Sequence, residues 1–371
     1  MSERRVRVLF AIPRFSVGGA EKLLVHQLRV LDRARFDPAL VTIFDEKNDT
    51  FGGGVSIDRC FHFRGTFDIR ALWLLYRYIR RGHFDVVVTS LFSANLLARF
   101  AAIIARVPTV ISYEHNLYPN KRLWQICADK LLSLGTDRII ADTESARIFT
   151  ARQEHIPLEK FITLYIPPLT EQGTPRPAGE VRTELGIPER ARVVLTVSRL
   201  VSDKGHVYLI EAAKRVLDEM PDVYFLIVGW GPLERELKEQ AGHLSIAANI
   251  VMPGRMDIVD VLPLADVYVD PSVSTDLPIA IMEAMREGKA IVATRVGDVP
   301  VFVEHEVTGM SAQPADAAGL AEGITRFLRD ASLGMRLGGK ARERVAHYSL
   351  GAYMRTFQEL IGRLADAKRA S

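Results

Sequence analysis

The 371-residue sequence has very little cysteine and no long apolar run. Cys60 and Cys127 are too few for a disulfide framework and have no CxxC partner, so we expect buried, reduced thiols. The opening residues lack the long apolar core of a secretory signal. No uncharged stretch reaches the roughly 18 to 20 residues that a membrane helix needs. These absences predict a cytosolic globular protein with at most surface contact to a membrane.

Motifs for metal and hydrolytic chemistry are also missing. No cluster of His, Cys, Asp and Glu has metal-ligand spacing, and the G-x-S-x-G elbow of hydrolases is absent. Gly229-Trp230-Gly231 follows an apolar strand, but Pro232 intervenes and Glu234 replaces the third glycine of the G-x-G-x-x-G pattern. The sequence therefore predicts no metal site and only weakly resembles a dehydrogenase.

The net charge of +3 is unevenly distributed, with excess cations before residue 170 and excess carboxylates after it. A basic first half suits an anionic partner, but its charge is too dispersed to favour nucleic acid. One predicted helix combines basic and aromatic residues: Arg77, Arg80, Arg81, Trp73, Tyr76 and Tyr78. It would suit contact with an anionic lipid surface; the alternative is a solvated face with aromatics turned into the core.

Apolar strands alternate with helical periodicity through most of the chain. The predicted strands are Val6–Ile12, Ala39–Phe44, Asp85–Ser90, Thr109–Tyr113 and Arg138–Ala141, then Val193–Ser198, Tyr224–Val228, Ile250–Met252, Val267–Val269 and Ala290–Ala293. Such alternation indicates parallel sheets covered by helices on both faces. The sequence therefore predicts an α/β protein with two doubly wound, Rossmann-like domains facing a cleft.

The proline-rich segment between the two series predicts the domain boundaries. We expect a first domain at residues 1–168, a linker at 169–188 and a second domain at 189–349. The helical pattern from Leu350 follows the last strand of the second series. Residues 350–371 are therefore left to dock elsewhere.

Ligands of doubly wound sheets bind beyond the carboxyl ends of the strands, so the loops there hold the candidate site. Gly18 and Gly19 precede a helix whose free N–H groups could meet a phosphate; a flexible turn is the alternative. Arg199 and Lys204 lie five residues apart before another helix. They could neutralise a diphosphate, or be ordinary charges of a solvated loop.

One acidic and one basic side chain are further candidate site residues. Glu283 lies early in a helix that follows the loop after Val267–Val269, where its carboxylate could accept bonds from ribose hydroxyls or merely complement the helix dipole. His115 ends the Thr109–Tyr113 strand at a position expected to face the cleft. A structural histidine is the alternative there.

Four segments together resemble glycosyltransferase family 4, the retaining enzymes of GT-B fold, over essentially the whole chain. They are GGAEKLLVHQL, VSRLVSDKGH, LIVGWGPLERELKEQA and DLPIAIMEAMREGKAIVATRVGDVP. Several motifs in the right order are far more specific than any one of them. The resemblance implies transfer of a sugar from a nucleotide-diphosphate sugar without a metal or a resident cofactor.

The resemblance also implies roles for individual residues. Arg199 and Lys204 would hold the donor diphosphate, and Glu283 the ribose. Further donor or sugar contacts would come from Gly18, Gly19, Met256, Leu277 and Pro278. His115 would lie near the reacting sugar and the acceptor. The last helix would cross back to the first domain, which accounts for residues 350–371.

One departure from the family pattern bears on activity. The family commonly has two glutamates seven residues apart, and the first of them contacts the donor sugar. Counting back from Glu283, that place is Thr275, followed by Asp276. Asp276 could reach the sugar instead, the donor could be unusual, or activity could be lost.

The resemblance thus implies a retaining, hexosyltransferase-type glycosyltransferase acting in polysaccharide or glycolipid biosynthesis. Its partners would be a UDP-, GDP- or ADP-sugar donor and a glycan, lipid-linked or small-molecule acceptor. We expect no nucleic acid partner and a cytoplasmic location, with peripheral contact to the inner face of an anionic membrane. The alternatives are a nucleotide-sugar epimerase of the same fold and a non-catalytic nucleotide-sugar-binding protein.

Overall fold

A computed structural model describes residues 4–15, 19–45, 55–66, 68–115, 118, 120–169, 173–275 and 277–370. The chain divides into two compact units. The first contains Met1–Leu169 and Leu350–Ser371, and the second contains Thr170–Ser349. Each unit has its own parallel sheet.

The first unit, in its described part, has a seven-stranded parallel sheet of order β3-β2-β1-β4-β5-β6-β7. Its strands are β1 Val6–Arg14, β2 Phe36–Asp45, β3 Arg59–Cys60, β4 Val86–Ser90, β5 Thr109–Glu114, β6 Arg138–Ala141 and β7 Phe161–Thr163. Its first five helices are α1 Gly19–Val30, α2 Ile69–Gly82, α3 Phe92–Ile104, α4 Leu123–Ser133 and α5 Glu144–Glu154. Every residue of β4 and β5 is buried, as expected for strands covered on both faces.

The second unit, as far as it is described, has a six-stranded parallel sheet of order β10-β9-β8-β11-β12-β13. Its strands are β8 Arg192–Val197, β9 Val223–Val228, β10 Ile250–Gly254, β11 Val267–Asp270, β12 Ala290–Thr294 and β13 Met310–Ala312. Its helices are α6 Ala178–Glu184, α7 His206–Glu219, α8 Glu234–His243, α9 Ile258–Val261, α10 Ile279–Arg286, α11 Val299–Phe302, α12 Ala317–Arg329 and α13 Ala331–Ala346. This strand order is that of dinucleotide-binding folds.

The last helix, α14 (Leu350–Ala370), belongs to the first unit. Tyr353, Phe357 and Ile361 recur at helical spacing and are buried. Phe357 lies against Phe10 of β1, with ring centroids 6.3 Å apart. At the end of the helix, Arg369 donates to the Asp85 carboxylate at 3.0 Å. Apolar packing and an ion pair thus hold α14 on the first sheet.

The structure differs from the sequence-based expectations in several places. The segment predicted as a linker, 169–188, contains α6, whose seven residues bury Val181 but are too few to show periodicity. Pro13 does not end β1, because the pairing register shifts between Ile12 and Arg14 and accommodates the missing N–H. Cys127 is exposed on α4, whereas Cys60 is buried.

Candidate active site

In the second unit, the loops that follow β8 and β11 contain most of the predicted site residues. β8 and β11 are neighbours, and the chain order of the strands reverses between them. Such a reversal opens a crevice beyond the carboxyl ends of the two strands. The loop after β8 carries Arg199 and Lys204, and the loop after β11 carries Thr275, Leu277 and Pro278. Topology therefore brings together residues more than 70 positions apart.

A direct contact joins these two loops. Lys204 Nζ donates a hydrogen bond to Thr275 Oγ1 at 3.1 Å, and the lysine side chain is 17% exposed. The amides of Val273 and Ser274 donate to the Asp203 carbonyl at 2.9 and 3.1 Å. The backbone of one loop therefore holds the other in place, and Lys204 is presented with a neutral hydrogen-bond acceptor.

Gly205 makes this close approach of the loops possible. It has φ of +62°, and an added Cβ would lie 2.0 Å from the Pro271 carbonyl oxygen. Any other residue would be strained and would push the two loops apart. Gly205 also precedes α7, so the loop ends at a helix N-terminus, where unpaired N–H groups favour an anion.

The Gly229-Trp230-Gly231 motif supports the same loop. An added Cβ would lie 1.8 Å from the Ser198 carbonyl oxygen at Gly229 and 2.3 Å from the Leu200 carbonyl oxygen at Gly231. Both glycines are thus required by backbone packing against the loop that carries Arg199. This packing accounts for the motif without a dinucleotide.

His206 is a residue that local sequence reasoning missed. It is buried, and its Nε2 lies 3.0 Å from the Ser198 hydroxyl. Burial, and next the positive charge of Lys204, lowers the pKa of His206 to about 4. The imidazole is therefore neutral near pH 7 and anchors the start of α7 to the end of β8. The sequence signal for His206 was its position directly after Gly205, at the first residue of α7.

The remaining predicted residues of the second unit lie around these loops. Arg199 is exposed, and Met256 is half-buried after β10. Pro278 precedes α10, and Glu283 is buried in the second turn of that helix. Burial, followed by the charges of Asp270 and Glu283, raises the pKa of Tyr268 well above its usual value. Asp276 lies outside the described residues.

The glycines predicted after β1 belong to the first unit. Gly18 lies outside the described residues. Gly19 is the first residue of α1, and an added Cβ there would meet no described atom within 4 Å. Strand order reverses between β1 and β4, so this helix start borders the crevice of the first sheet.

His115 follows β5 in the first unit and is held on two sides. Its Nδ1 lies 3.2 Å from Asp142 Oδ2, and its side chain is 5% exposed. Its ring stacks on Tyr113, with centroids 4.1 Å apart and planes 9° from parallel. Asp142 Oδ1 is buried without a hydrogen-bond partner among the described atoms. Asp142 directly follows β6, and His115 directly follows the neighbouring strand β5. The sequence alone does not show that these two residues are close.

A buried ionic cluster joins α3, α4 and α5 with the segment that precedes α4. Lys121 pairs with Asp129 at 2.8 Å and with Glu154, and Arg99 also pairs with Asp129. Burial, with the charge of Asp129 next, raises the pKa of Glu154 to about 7. The cluster ties α3, α4 and α5 to one another.

Two other features are absent from the part of the chain that the structure describes. No group of three or more His, Cys, Asp and Glu residues is arranged to hold a metal ion. Among the described helices, none is both long and apolar enough to cross a membrane.

Two family descriptions match nearly the whole chain. "Glycosyltransferase Family 4" matches residues 17–165, and "Glycosyl transferases group 1" matches residues 178–344. The solved structure of HepE from Anabaena, in complex with UDP, superposes with a TM-score of 0.81 at 21% identity, covering 96% of this chain and all of that one. The two sheets and these matches define a glycosyltransferase of GT-B fold.

Curated relatives agree with this class. The UDP-Gal:alpha-D-GlcNAc-diphosphoundecaprenol alpha-1,3-galactosyltransferase of Escherichia coli is 25% identical over 85% of this chain and 86% of its own length. The alpha-D-kanosaminyltransferase of Streptomyces kanamyceticus is 30% identical over 57% of this chain and 56% of its own length. The chain belongs to glycosyltransferase family 4, which confirms the predicted family, fold and enzyme class. Neither the epimerase nor the non-catalytic binder is favoured.

Proposed function

We propose that this enzyme transfers a sugar, with retention, from a nucleotide-diphosphate sugar to an acceptor hydroxyl. The contact of Lys204 with Thr275 carries the proposal, because it places a cation with a neutral partner where two loops meet at a helix start. That arrangement suits a diphosphate. UDP in the related HepE structure supports a uridine nucleotide as the first donor to test.

In this reaction the main task of the enzyme is to stabilise the leaving group. The bond between the sugar C1 and the diphosphate oxygen breaks as the acceptor oxygen bonds to C1 from the same face. The acceptor proton passes to the departing phosphate. Arg199, Lys204 and the N-terminus of α7 stabilise the negative charge that develops on the diphosphate. No metal ion is required for this charge balance.

Other residues would orient the two substrates. Glu283 takes the ribose hydroxyls, and Met256 lies beside the base. The backbone at Leu277 and Pro278, with Thr275 or Asp276, takes the sugar and its phosphate. From the first unit, Gly18 and Gly19 approach the donor. His115 uses Nε2 toward the reacting sugar, because Asp142 engages Nδ1.

The acceptor side is proposed to work at an anionic membrane surface, on a glycan or lipid-linked acceptor. The Escherichia coli relative acts on a diphosphoundecaprenol-linked sugar, as its name states. In this chain, α2, α3 and α4 connect strands in one direction across the sheet, so they lie on the same face and contact each other in turn. We call their outer side the α2–α4 face.

The α2–α4 face combines apolar and basic groups. Of the fourteen exposed large apolar side chains among the described residues, eight lie on it: Ile69, Trp73, Phe100, Ile104, Leu123, Trp124, Leu131 and Leu134. The three carboxylates between Ile69 and Leu134 are all buried. The exposed Lys and Arg side chains there are Arg70, Arg80, Arg81, Arg106, Arg122 and Lys130. Two copies of this face would repel each other because both are basic. An anionic lipid surface supplies negative charge for the basic side chains and an apolar interior for the apolar ones.

The structure modifies the earlier choice of residues for this contact. Trp73 is exposed, and the Arg77 guanidinium lies 4.3 Å from its ring centroid. Tyr78 packs against Phe61 and Phe84 and is half-buried. The aromatic anchors of the proposed contact are therefore Trp73 and Trp124.

Three experiments test the proposed function. Turnover and hydrolysis are measured with UDP-, GDP- and ADP-sugars, with and without EDTA; absence of activity with every donor would refute the transferase proposal. Anomeric configuration of the product, read by NMR, tests retention. Co-sedimentation with anionic and neutral vesicles tests the membrane contact. We expect the wild-type protein to bind anionic vesicles only. The Trp124→Ser, Leu131→Ser double variant should lose this binding.

A further inference from the structure

A chain of buried hydroxyl and amide groups leads from α14 to β5. Gln27 Nε2 of α1 donates to the Tyr353 hydroxyl of α14 at 2.7 Å. The Tyr353 hydroxyl in turn donates to the Tyr113 hydroxyl of β5 at 3.2 Å. All three side chains are buried. Residues 326 and 240 positions apart are therefore joined by hydrogen bonds inside the first unit.

This chain ends on the ring that stacks against His115. Tyr113 and His115 are two residues apart on extended backbone, so their side chains leave the same face of the sheet. The Tyr113 hydroxyl also donates to the Leu164 carbonyl oxygen, at a long 3.4 Å, and interacts with the Asp142 carboxylate. Of its two printed hydrogen-bond distances, the one to the Tyr353 hydroxyl is the shorter.

The packing of α14 does not by itself account for a tyrosine at this position. Phe357 and Ile361, fully buried on the same side of the helix, fill the apolar interface without a hydroxyl. A buried hydroxyl adds stability only when it is paired, and Tyr353 is paired on both sides.

We propose that Tyr353 and Gln27 are positioning residues that orient His115 through Tyr113, which makes the C-terminal helix part of the acceptor-side active site. The inference rests on the proposed role of His115. Without the Tyr353 hydroxyl, Tyr113 keeps its long bond to Leu164 and its interaction with Asp142, but loses its tie to α14, and Gln27 loses its acceptor. The stacked pair then reorients, while Asp142 still engages the imidazole.

Histidine NMR tests the positioning without any turnover. The full-length protein is labelled with 15N-histidine, and the His115 imidazole signals are assigned as those missing from His115→Gln. We expect these signals to shift in Tyr353→Phe and in Gln27→Met. They should not shift in Thr356→Val, which removes another α14 hydroxyl, bonded to the Ala352 carbonyl oxygen at 3.2 Å. Unchanged His115 signals in Tyr353→Phe would overturn the proposal.

Kinetics test the consequence for transfer. We expect Tyr353→Phe to lower kcat by roughly three- to tenfold with unchanged donor affinity, and to have no further effect in a His115→Ala background. Ile361→Val provides a destabilised α14 with the hydroxyl chain intact, and its kcat should stay normal. An equal loss with and without His115 would overturn the proposal. If the wild-type protein transfers no sugar, the proposed function fails, and the NMR result alone decides the positioning.

Discussion

Replacing Lys204 with methionine tests the donor site most directly. The substitution keeps the apolar stem and removes the charge. In the structure, Lys204 Nζ has the neutral Thr275 hydroxyl at 3.1 Å, and the carboxylate of Asp203 comes no closer than 4.0 Å. Among the described residues its hydrogen-bond partner is therefore neutral and its ion pair with Asp203 is long, which suits a site for an anionic leaving group.

The magnitude follows from what the lysine contacts. Removing one preorganised donor to a transition-state oxyanion costs about 10²- to 10³-fold in kcat, or about 2.7–4 kcal/mol. The loss in free energy of unfolding should be no more than about 1–2 kcal/mol, because one hydrogen bond to a neutral hydroxyl disappears. Activity should thus fall far more than stability.

The assay compares kcat and kcat/KM of Lys204→Met with those of the wild type, using the best donor. Lys214→Met is the matched control, since Lys214 lies on α7 and pairs only at the surface with Asp218. We expect its rates and stability to match the wild type. If folded Lys204→Met retained more than a tenth of wild-type kcat/KM, the assignment of the diphosphate to this loop would be wrong.

Three further predictions concern the same loops. Gly205→Ala should lower the free energy of unfolding by roughly 2–4 kcal/mol in urea titrations, because Gly205 has φ of +62° and an added Cβ would lie 2.0 Å from the Pro271 carbonyl oxygen. Gly242→Ala should not lower it, because an added Cβ there would meet no described atom within 4 Å. Because the pKa of His206 is about 4 in the folded state and about 6.5 unfolded, stability should fall by about 2–3 kcal/mol as pH drops from 7 to 4.5; a similar fall in His206→Asn would contradict this. Thr275→Val should lower kcat/KM by roughly three- to tenfold; a silent substitution would mean that Lys204 needs no hydrogen-bond partner there.

The main elements of the fold could be predicted because they are strongly apolar. Val86–Ser90 and Ala290–Thr294 are buried strands whose apolar residues are contiguous in the sequence. β3, β7 and β13 have only two or three residues, too few for a periodic pattern. The pairing of neighbouring strands supplies their conformation.

Some residues of the candidate site could be predicted from the sequence, and others could not. Arg199 and Lys204 could be predicted because both lie in one short loop between a strand and a helix. Asp142 could not, because its link to His115 depends on β5 and β6 being neighbours in the sheet. Tyr353 could not, because only the packing of α14 brings it to Tyr113.

The place of α14 has a consequence for how the protein is made. The ribosome completes residues 1–169 long before it reaches Leu350, and about 180 residues at roughly 5–20 per second leave a wait of roughly 10–40 s. During that wait, the surface that will receive Phe357 and Ile361 is uncovered, while the second unit emerges contiguously and folds on its own sequence. The domain that is translated first is therefore the one that finishes last, and a nascent chain that stops short of Leu350 leaves it exposed to chaperones and proteases.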